Sequence, residues 1–162
     1  MNIVLVRVDD RFIHGQILES WIPFLKAQGV IVANDSLAKD HFQKTIMSMA
    51  IPERIKLRIV TIDDTLSLNG DTDFKETRTL IIVSSIKDAH RLYSAGLTFP
   101  KLNIGNNKGS DTSKQISYSA WVDQEDLDLI KELLEKDMEI SLQSVPRERN
   151  IDMRSIIDMA KL

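Results

Sequence analysis

The sequence predicts an α/β protein: a single-domain, mostly parallel β-sheet with helices on both faces and an antiparallel edge. Three observations carry this. Short β-branched runs alternate with longer apolar-periodic segments, which is the pattern of βαβ crossovers. The 162 residues are 43% hydrophobic and 28% charged, enough for one sizeable core. No internal repeat, low-complexity block or long linker divides the chain. Residues 1–162 are therefore expected to form one domain, with 147–162 a C-terminal tail to which the sequence assigns no role.

Taken in order, Ile3–Val8 reads as the first strand. Gly15–Gln28 reads as a helix with Ile17, Leu18, Trp21, Ile22 and Leu25 on one face. Pro23 kinks it or starts a second segment, and Gly29 is placed to close it as a C-cap. Val30–Ala33 is the second strand, and Asn34-Asp35-Ser36 offers capping chemistry for a helix running to Ala50. Leu37, Phe42, Ile46 and Met49 are its expected apolar face. Beyond Pro52, Ile55–Thr61 is a strand, Asp63–Leu68 a short helix and Asn69-Gly70-Asp71 a turn. Thr79–Val83 is the next strand, followed by a helix over Ser85–Ala95 that Gly96 closes. Leu102–Ile104 is a short strand, and Gly105–Ser113, rich in glycine, asparagine and hydroxyl residues, is a loop. Gln115–Val122 alternates and is expected as the antiparallel or edge strand. Asp123 caps a helix over Glu125–Lys136, and Glu139–Val145 is the last strand. The tail from Pro146 is polar to Asn150 and then weakly helical.

Composition removes several function classes. The net charge is −3, which gives no reason to expect nucleic acid as a partner. There is no cysteine, so disulfides, thiolate metal sites and thiol catalysis are excluded. The amino-terminal residues do not resemble a signal peptide, and no apolar run approaches the ~20 residues needed to span a bilayer. Any membrane role is therefore expected to come through a partner.

The chemistry is concentrated in Arg7-Val8-Asp9-Asp10-Arg11-Phe12-Ile13-His14-Gly15-Gln16. This stretch joins the first strand to the first helix, at the strand's carboxyl end, where open α/β sheets bind ligands. Arg7 and Asp9 are two apart and share a face. A helix start disfavours imidazolium and favours an anion beside it. Its free N–H groups, here from Gly15 and Gln16, can take phosphate oxygens, and Gly15 lets the backbone come close. Arg7 and Arg11 would neutralise charge on a transferring phosphoryl group. Asp9 or Asp10 would orient an arginine or the ring, since a carboxylate touching phosphate repels it. The dense local set of Arg7, Asp9, Arg11 and His14 points to function, while its Arg–Asp pairs could still be a structural ion network. His41 and His90 lie within predicted helices beside charged neighbours and read as surface residues.

The motif Arg-Val-Asp-Asp-Arg-Phe-Ile-His-Gly-Gln resembles the active-site signature of the IIB component of the mannose/fructose/sorbose class of the bacterial phosphotransferase system. The resemblance continues at Val30–Asp35, Ala38-Lys39-Asp40, Leu102–Gly105, Lys114–Ser117 and the strand leading to Val145-Pro146. It implies that His14 accepts phosphate on Nδ1 from a phosphorylated IIA protein. His14 would then pass it to a sugar held by the membrane components IIC and IID. Arg7 and Arg11 would stabilise the phosphate, with Asp9 nearby. No metal, nucleotide or other cofactor takes part. The resemblance also implies a cytoplasmic protein attached peripherally to the membrane through IIC and IID.

Two departures from the family pattern stand out. Many transport members carry a second glycine after the one matching Gly105, whereas Asn106-Asn107-Lys108 follows here; Phe12 replaces a more usual leucine. The asparagines favour an alternative, a regulatory phosphorylatable module of the same fold not coupled to transport. A nucleotide-binding domain is disfavoured because no glycine-rich phosphate loop follows the first strand. A phosphatase is disfavoured because the histidines are too dispersed for a metal set. Asn34, Asp35, Gly105, Asn106 and Lys108 follow predicted parallel strands and are expected to approach the His14 crevice. Phe12, Arg11 and Lys108 would form its rim. Trp21 and Phe12, if exposed, are candidates for a contact patch that could pair two copies of the chain.

Overall fold

The computed structural model describes residues 1–160. Its strands are β1 (Asn2–Asp9), β2 (Gly29–Ala33), β3 (Lys56–Val60), β4 (Arg78–Val83), β5 (Lys101–Asn106), β6 (Lys114–Ser117), β7 (Ala120–Val122), β8 (Glu139–Leu142) and β9 (Ile151–Asp152). The α-helices are α1 (Ile22–Leu25), α2 (His41–Ala50), α3 (Ile86–Ser94), α4 (Gln124–Glu135) and α5 (Met153–Ala160). The main sheet runs β3-β2-β4-β1-β5-β8-β9, parallel except for β9, which pairs antiparallel with β8. The expected fold class is the observed one, with its antiparallel edge supplied by a different segment. That edge comes from the tail, whereas Gln115–Val122 folds on itself as the separate hairpin β6–β7.

Period-two alternation sorts the core into two layers. Val6, Val8, Ile31, Ala33, Ile81 and Val83 face α3 and α4. Leu5, Val30, Val32, Leu80 and Ile82 face Ile17, Trp21, Ile22 and Met47. Arg7 falls on this second face, next to Leu5 in the alternation. Among the described residues, no helix covers the second face beyond β1. Lys101, Asn103, Glu139, Ser141 and Gln143 line a cavity of about 430 Å³ there, walled by Trp21 and Phe24.

Several elements depart from expectation for local reasons. The first helix is broken: a π-helical turn over Ile17–Trp21 leads into the single turn of α1, with Pro23 in its first positions. Lys26 at φ 51°, not Gly29, ends it. Gly29 opens β2, where a Cβ would lie 2.8 Å from Phe74. The segment after β2 makes a 3₁₀ turn at Leu37–Lys39, and α2 begins only at His41 with Asp40 as its cap. Consequently Phe42, Ile46 and Met49 point to solvent, Met49 with 82% of its surface exposed, while Met47 points inward. Gly105 and Asn106, expected in a loop, complete β5. The last parallel strand stops at Leu142. The tail then returns through β9 into α5, whose Met153 is fully buried in the first layer.

Connections part at the carboxyl ends of β1 and β5. The chain leaving β1 turns over the second face toward β2. The chain leaving β5 passes through the hairpin to α4 on the first. Such a divergence opens the crevice in which α/β sheets place their ligands.

Candidate functional site

The loop after β1 is shaped by its own backbone. The Phe12 N–H donates to the Asp9 carbonyl at 3.1 Å, closing a turn, and Phe12 takes φ 57°. A left-handed conformation costs a non-glycine residue roughly 1–2 kcal/mol, and such residues cluster where a loop has a task. The Leu18 N–H donates to the His14 carbonyl at 3.1 Å, so His14 stands at the start of the helical segment. The first amides after it, Gly15 and Gln16, have no carbonyl earlier in the helix to bind. A Cβ on Gly15 would meet nothing within 4 Å, so the space before this amide is open.

Asp9 is the hub, although its side chain is fully buried. Oδ2 accepts from His14 Nε2 at 3.0 Å, Arg11 Nη2 at 3.0 Å and Arg7 Nη2 at 2.9 Å. Oδ1 accepts from Arg11 Nε at 3.0 Å and the Arg11 N–H at 3.2 Å. Burial alone would push this carboxyl up. The hydrogen bonds from His14 and Arg11 and the charge of Arg7 outweigh it, holding Asp9 far below the usual carboxylate range. Asp9 is thus ionised, so the His14 nitrogen facing it carries the proton. In the neutral ring the lone pair then falls on Nδ1.

The two arginines differ sharply. Arg11 is 39% exposed; beyond Asp9 it donates from Nη2 to Gln16 Oε1 at 3.1 Å, and its Nη1 has no partner among the described residues. Arg7 is wholly buried, its guanidinium 4.7 Å from the Trp21 ring centre. Every N–H of Arg7 is spent inward, on Asp9, Asn103, and the carbonyls of Gln143 and Ser144. Arg7 therefore does not reach the crevice surface, so the charge it was expected to bring to a phosphoryl group can act only from behind Asp9.

Of the other expected crevice residues, Asn34, Asp35 and Lys108 share the sheet edge and not the site, whereas Gly105 and Asn106 touch the loop that carries His14. Asn34 donates to Ser84 and accepts the Leu37 N–H. Asp35 accepts from Arg91 at 2.8 Å and from the Ile62 N–H. Both follow β2, which β4 separates from β1. Gly105 is buried beneath Arg7. Asn106 reaches the loop at Asp10, through a side-chain bond and the Asp10 N–H, so Asp10 is turned toward β5 and away from the ring. Lys108 lines a different cavity with Ser85, Lys87 and Asp126, and His14 is absent from its walls. Trp21 is 2% exposed and offers no contact patch. Of the other histidines, His41 is exposed, whereas His90 has both ring nitrogens engaged, by Glu132 and Ser94.

Sequence reasoning missed what stands behind the site. Asn103 carried a signal, a polar residue inside an apolar strand. The Gln143 and Ser144 carbonyls carried none, because a backbone acceptor has no residue type.

Comparison with known proteins follows the geometry. The profile of the family described as "PTS system sorbose subfamily IIB component" matches residues 3–162. A "PTS system fructose-specific EIIB component" of Bacillus subtilis (strain 168) is 29% identical over 157 residues, covering 97% of this chain and 96% of that protein. An "N-acetylgalactosamine-specific phosphotransferase enzyme IIB component 2" of Escherichia coli (strain K12) is 31% identical, covering 96% of this chain and 99% of that protein. Among solved structures, the IIBSor domain of the sorbose permease from Klebsiella pneumoniae superposes with a TM-score of 0.90. Each chain is 98% covered; at 24% identity this likeness speaks for the fold.

Proposed function

Since this chain belongs to the sorbose-subfamily IIB components of the sugar phosphotransferase system, we propose that His14 is its phosphoryl carrier. His14 Nδ1 takes the group from a histidine of a phosphorylated IIA protein and gives it to a sugar hydroxyl presented by membrane IIC and IID components. The observation that carries this reading is the 3.0 Å bond from His14 Nε2 to the buried Asp9, which leaves Nδ1 as the nucleophile.

The chemistry follows from the surrounding groups. The Nδ1 lone pair attacks phosphorus as the donor's P–N bond breaks, and the donor nitrogen keeps that electron pair. Positive charge grows on the His14 ring, where Asp9 opposes it. Arg11 Nη1 and the Gly15 and Gln16 amides take the equatorial oxygens, where the charge of a loose transition state collects. In the second transfer the sugar oxygen attacks phosphorus as the P–Nδ1 bond breaks; Nδ1 keeps that electron pair, the hydroxyl proton passes to water or to a base of the membrane component, and the neutral ring is left with its Asp9 bond intact. No described helix is long and apolar enough to cross a membrane, so in this reading the sugar is met by docking. The His14 side chain is 18% exposed, and Arg11 beside it is 39% exposed. Encounters there are brief, since each partner must leave before the next arrives.

The test is incubation with phosphoenolpyruvate, the general phosphotransfer proteins and a IIA donor, followed by mapping. An acid-labile, base-stable phosphate on the peptide containing His14, linked through Nδ1, is expected. Label persisting on His41 or His90 in a His14→Ala protein removes the assignment.

A further inference from the structure

We propose that Arg7 is a positioning residue of phosphotransfer: clamped from behind by the ends of β5 and β8, it holds Asp9, and Asp9 fixes the His14 ring with Nδ1 outward. The inference deepens the reading above and rests on it.

Arg7 sits in a socket built on every side. Its Nε and Nη2 donate to Asp9 Oδ2 at 3.3 and 2.9 Å. Its Nη1 donates to Asn103 Oδ1 and, at 3.0 Å, to the Gln143 carbonyl. Its second Nη2 hydrogen goes to the Ser144 carbonyl at 2.9 Å, and Trp21 Nε1 donates to that same carbonyl at 2.9 Å. Opposite, any Cβ on Gly105 would lie 2.0 Å from Arg7 Cζ, so the guanidinium occupies the space that a side chain would need. The hairpin closes the outside: Ser119 Oγ donates to the Gly105 carbonyl at 2.7 Å and lies 3.0 Å from Ser144 Oγ. A guanidinium with all five N–H groups engaged has none left for a phosphoryl oxygen.

What Arg7 can still supply is orientation and charge. Asp9 Oδ2 accepts from Arg7, Arg11 and His14; Arg11 is 39% exposed and Arg7 wholly buried, so Arg7 is the fixed anchor that sets where that oxygen stands and with it which ring nitrogen keeps the proton. The charge matters as well. Arg7 and Arg11 around a single carboxylate leave a net positive site, which suits the anionic group that His14 would receive. The role is the one a triad carboxylate has for its histidine, set one residue further back.

Three variants separate this role from direct phosphate contact and from mere support of the fold. Arg7→Met removes both charge and hold. Gly105→Ala displaces the guanidinium without removing it. Asn103→Ala takes away one anchor. Each is read by the ¹⁵N signals of the His14 ring in unphosphorylated protein and by steady-state transfer from phosphorylated IIA. The wild-type ring is expected to carry its proton on Nε2. In Arg7→Met and Gly105→Ala the tautomers should mix, and kcat should fall on the order of tenfold to a hundredfold with KM for IIA unchanged, short of the ~10⁴-fold that a wrong tautomer costs in a hydrolytic triad. Asn103→Ala should move both readouts the same way by less. A folded Arg7→Met that keeps the wild-type tautomer overturns the proposal, whether kcat falls or not. Should Arg7→Met fail to fold, an unchanged tautomer in Gly105→Ala and Asn103→Ala overturns it equally. Failure of His14 to accept phosphate would sink the carrier reading instead, and leaves the tautomer result standing on its own.

Discussion

Asp9→Asn tests how much of this fold depends on a single carboxylate. The substitution keeps shape and removes charge. Arg7, fully buried, is then left with no counter-ion, because its other partners are an amide oxygen and two carbonyls. Breaking a buried ion pair from one side costs about 3–5 kcal/mol, mostly the penalty on the charge left behind. Arg11 adds little to that figure, since it is 39% exposed and rehydrates. Against a typical total of ~5–15 kcal/mol the loss is large. It corresponds to a fall in Tm of roughly 6–20 °C for a chain of this size. The assay is calorimetry and urea unfolding across pH. The sign is set by a folded pKa held below the unfolded value near ~3.9. The Asp9 contribution is complete above that value and is lost as pH falls through the lower, folded one. The gap between wild type and Asp9→Asn should therefore be flat from pH 7 to about 5 and narrow only below about 4. Replacing both partners, as Arg7→Met with Asp9→Leu, should recover part of the loss. A cost below about 1 kcal/mol at pH 7, or a gap already closing at pH 6, would refute the assignment of Asp9 as the charge that balances Arg7.

Gly15→Ala should leave Tm within about 1 °C, because a Cβ there meets nothing, while slowing phosphotransfer where the phosphoryl group would approach; transfer kinetics beside a melt check both. Gly29→Ala should lower stability by about 1–3 kcal/mol in urea, since its Cβ would lie 2.8 Å from Phe74 and 3.0 Å from Thr77. Phe42→Ser and Met49→Lys should each change stability by no more than about 0.5 kcal/mol, their side chains being 72% and 82% exposed. Burial pushes Asp126 above the ordinary carboxylate range, so Asp126→Asn should raise Tm at pH 7, and the gain should vanish below about pH 4, where the unfolded carboxyl is itself protonated.

The sheet was legible because its strands are continuous apolar runs, and only a doubly covered parallel sheet buries such runs. The active loop was legible because its chemistry is local: Asp9, Arg11 and His14 fall within six positions and meet in space. What failed to read had non-local causes. The apolar pattern at Phe42, Ile46 and Met49 is genuine, but Asp40 starts α2 late and leaves Met47 as the one buried residue of that helix. Gly29 has the residue type of a cap and serves packing instead. The second strand of the antiparallel edge is two residues long, too short for any period to show. Arg7 misled most. In sequence it is one more cation beside a histidine, and only the partners at Asn103, Gln143 and Ser144, some hundred residues or more away, reveal that it faces inward.

The asparagines after Gly105 were the one sequence feature that favoured a regulatory role over transport. Their structural work accounts for them without it. Asn106 binds Asp10 through its side chain and its carbonyl, tying β5 to the active loop. Asn107 is buried and fastens the hairpin: its N–H donates to the Ser119 carbonyl, its carbonyl accepts from the Trp121 N–H, and its side chain donates to the Trp121 carbonyl. Ser119, held in this way, covers Gly105 and reaches Ser144. The two residues thus brace the loop that carries His14 and the wall that confines Arg7. A second glycine at Asn106 would give up the side-chain bond to Asp10. On the proposed carrier reading such bracing serves transfer directly, because it holds Nδ1 in line with the donor.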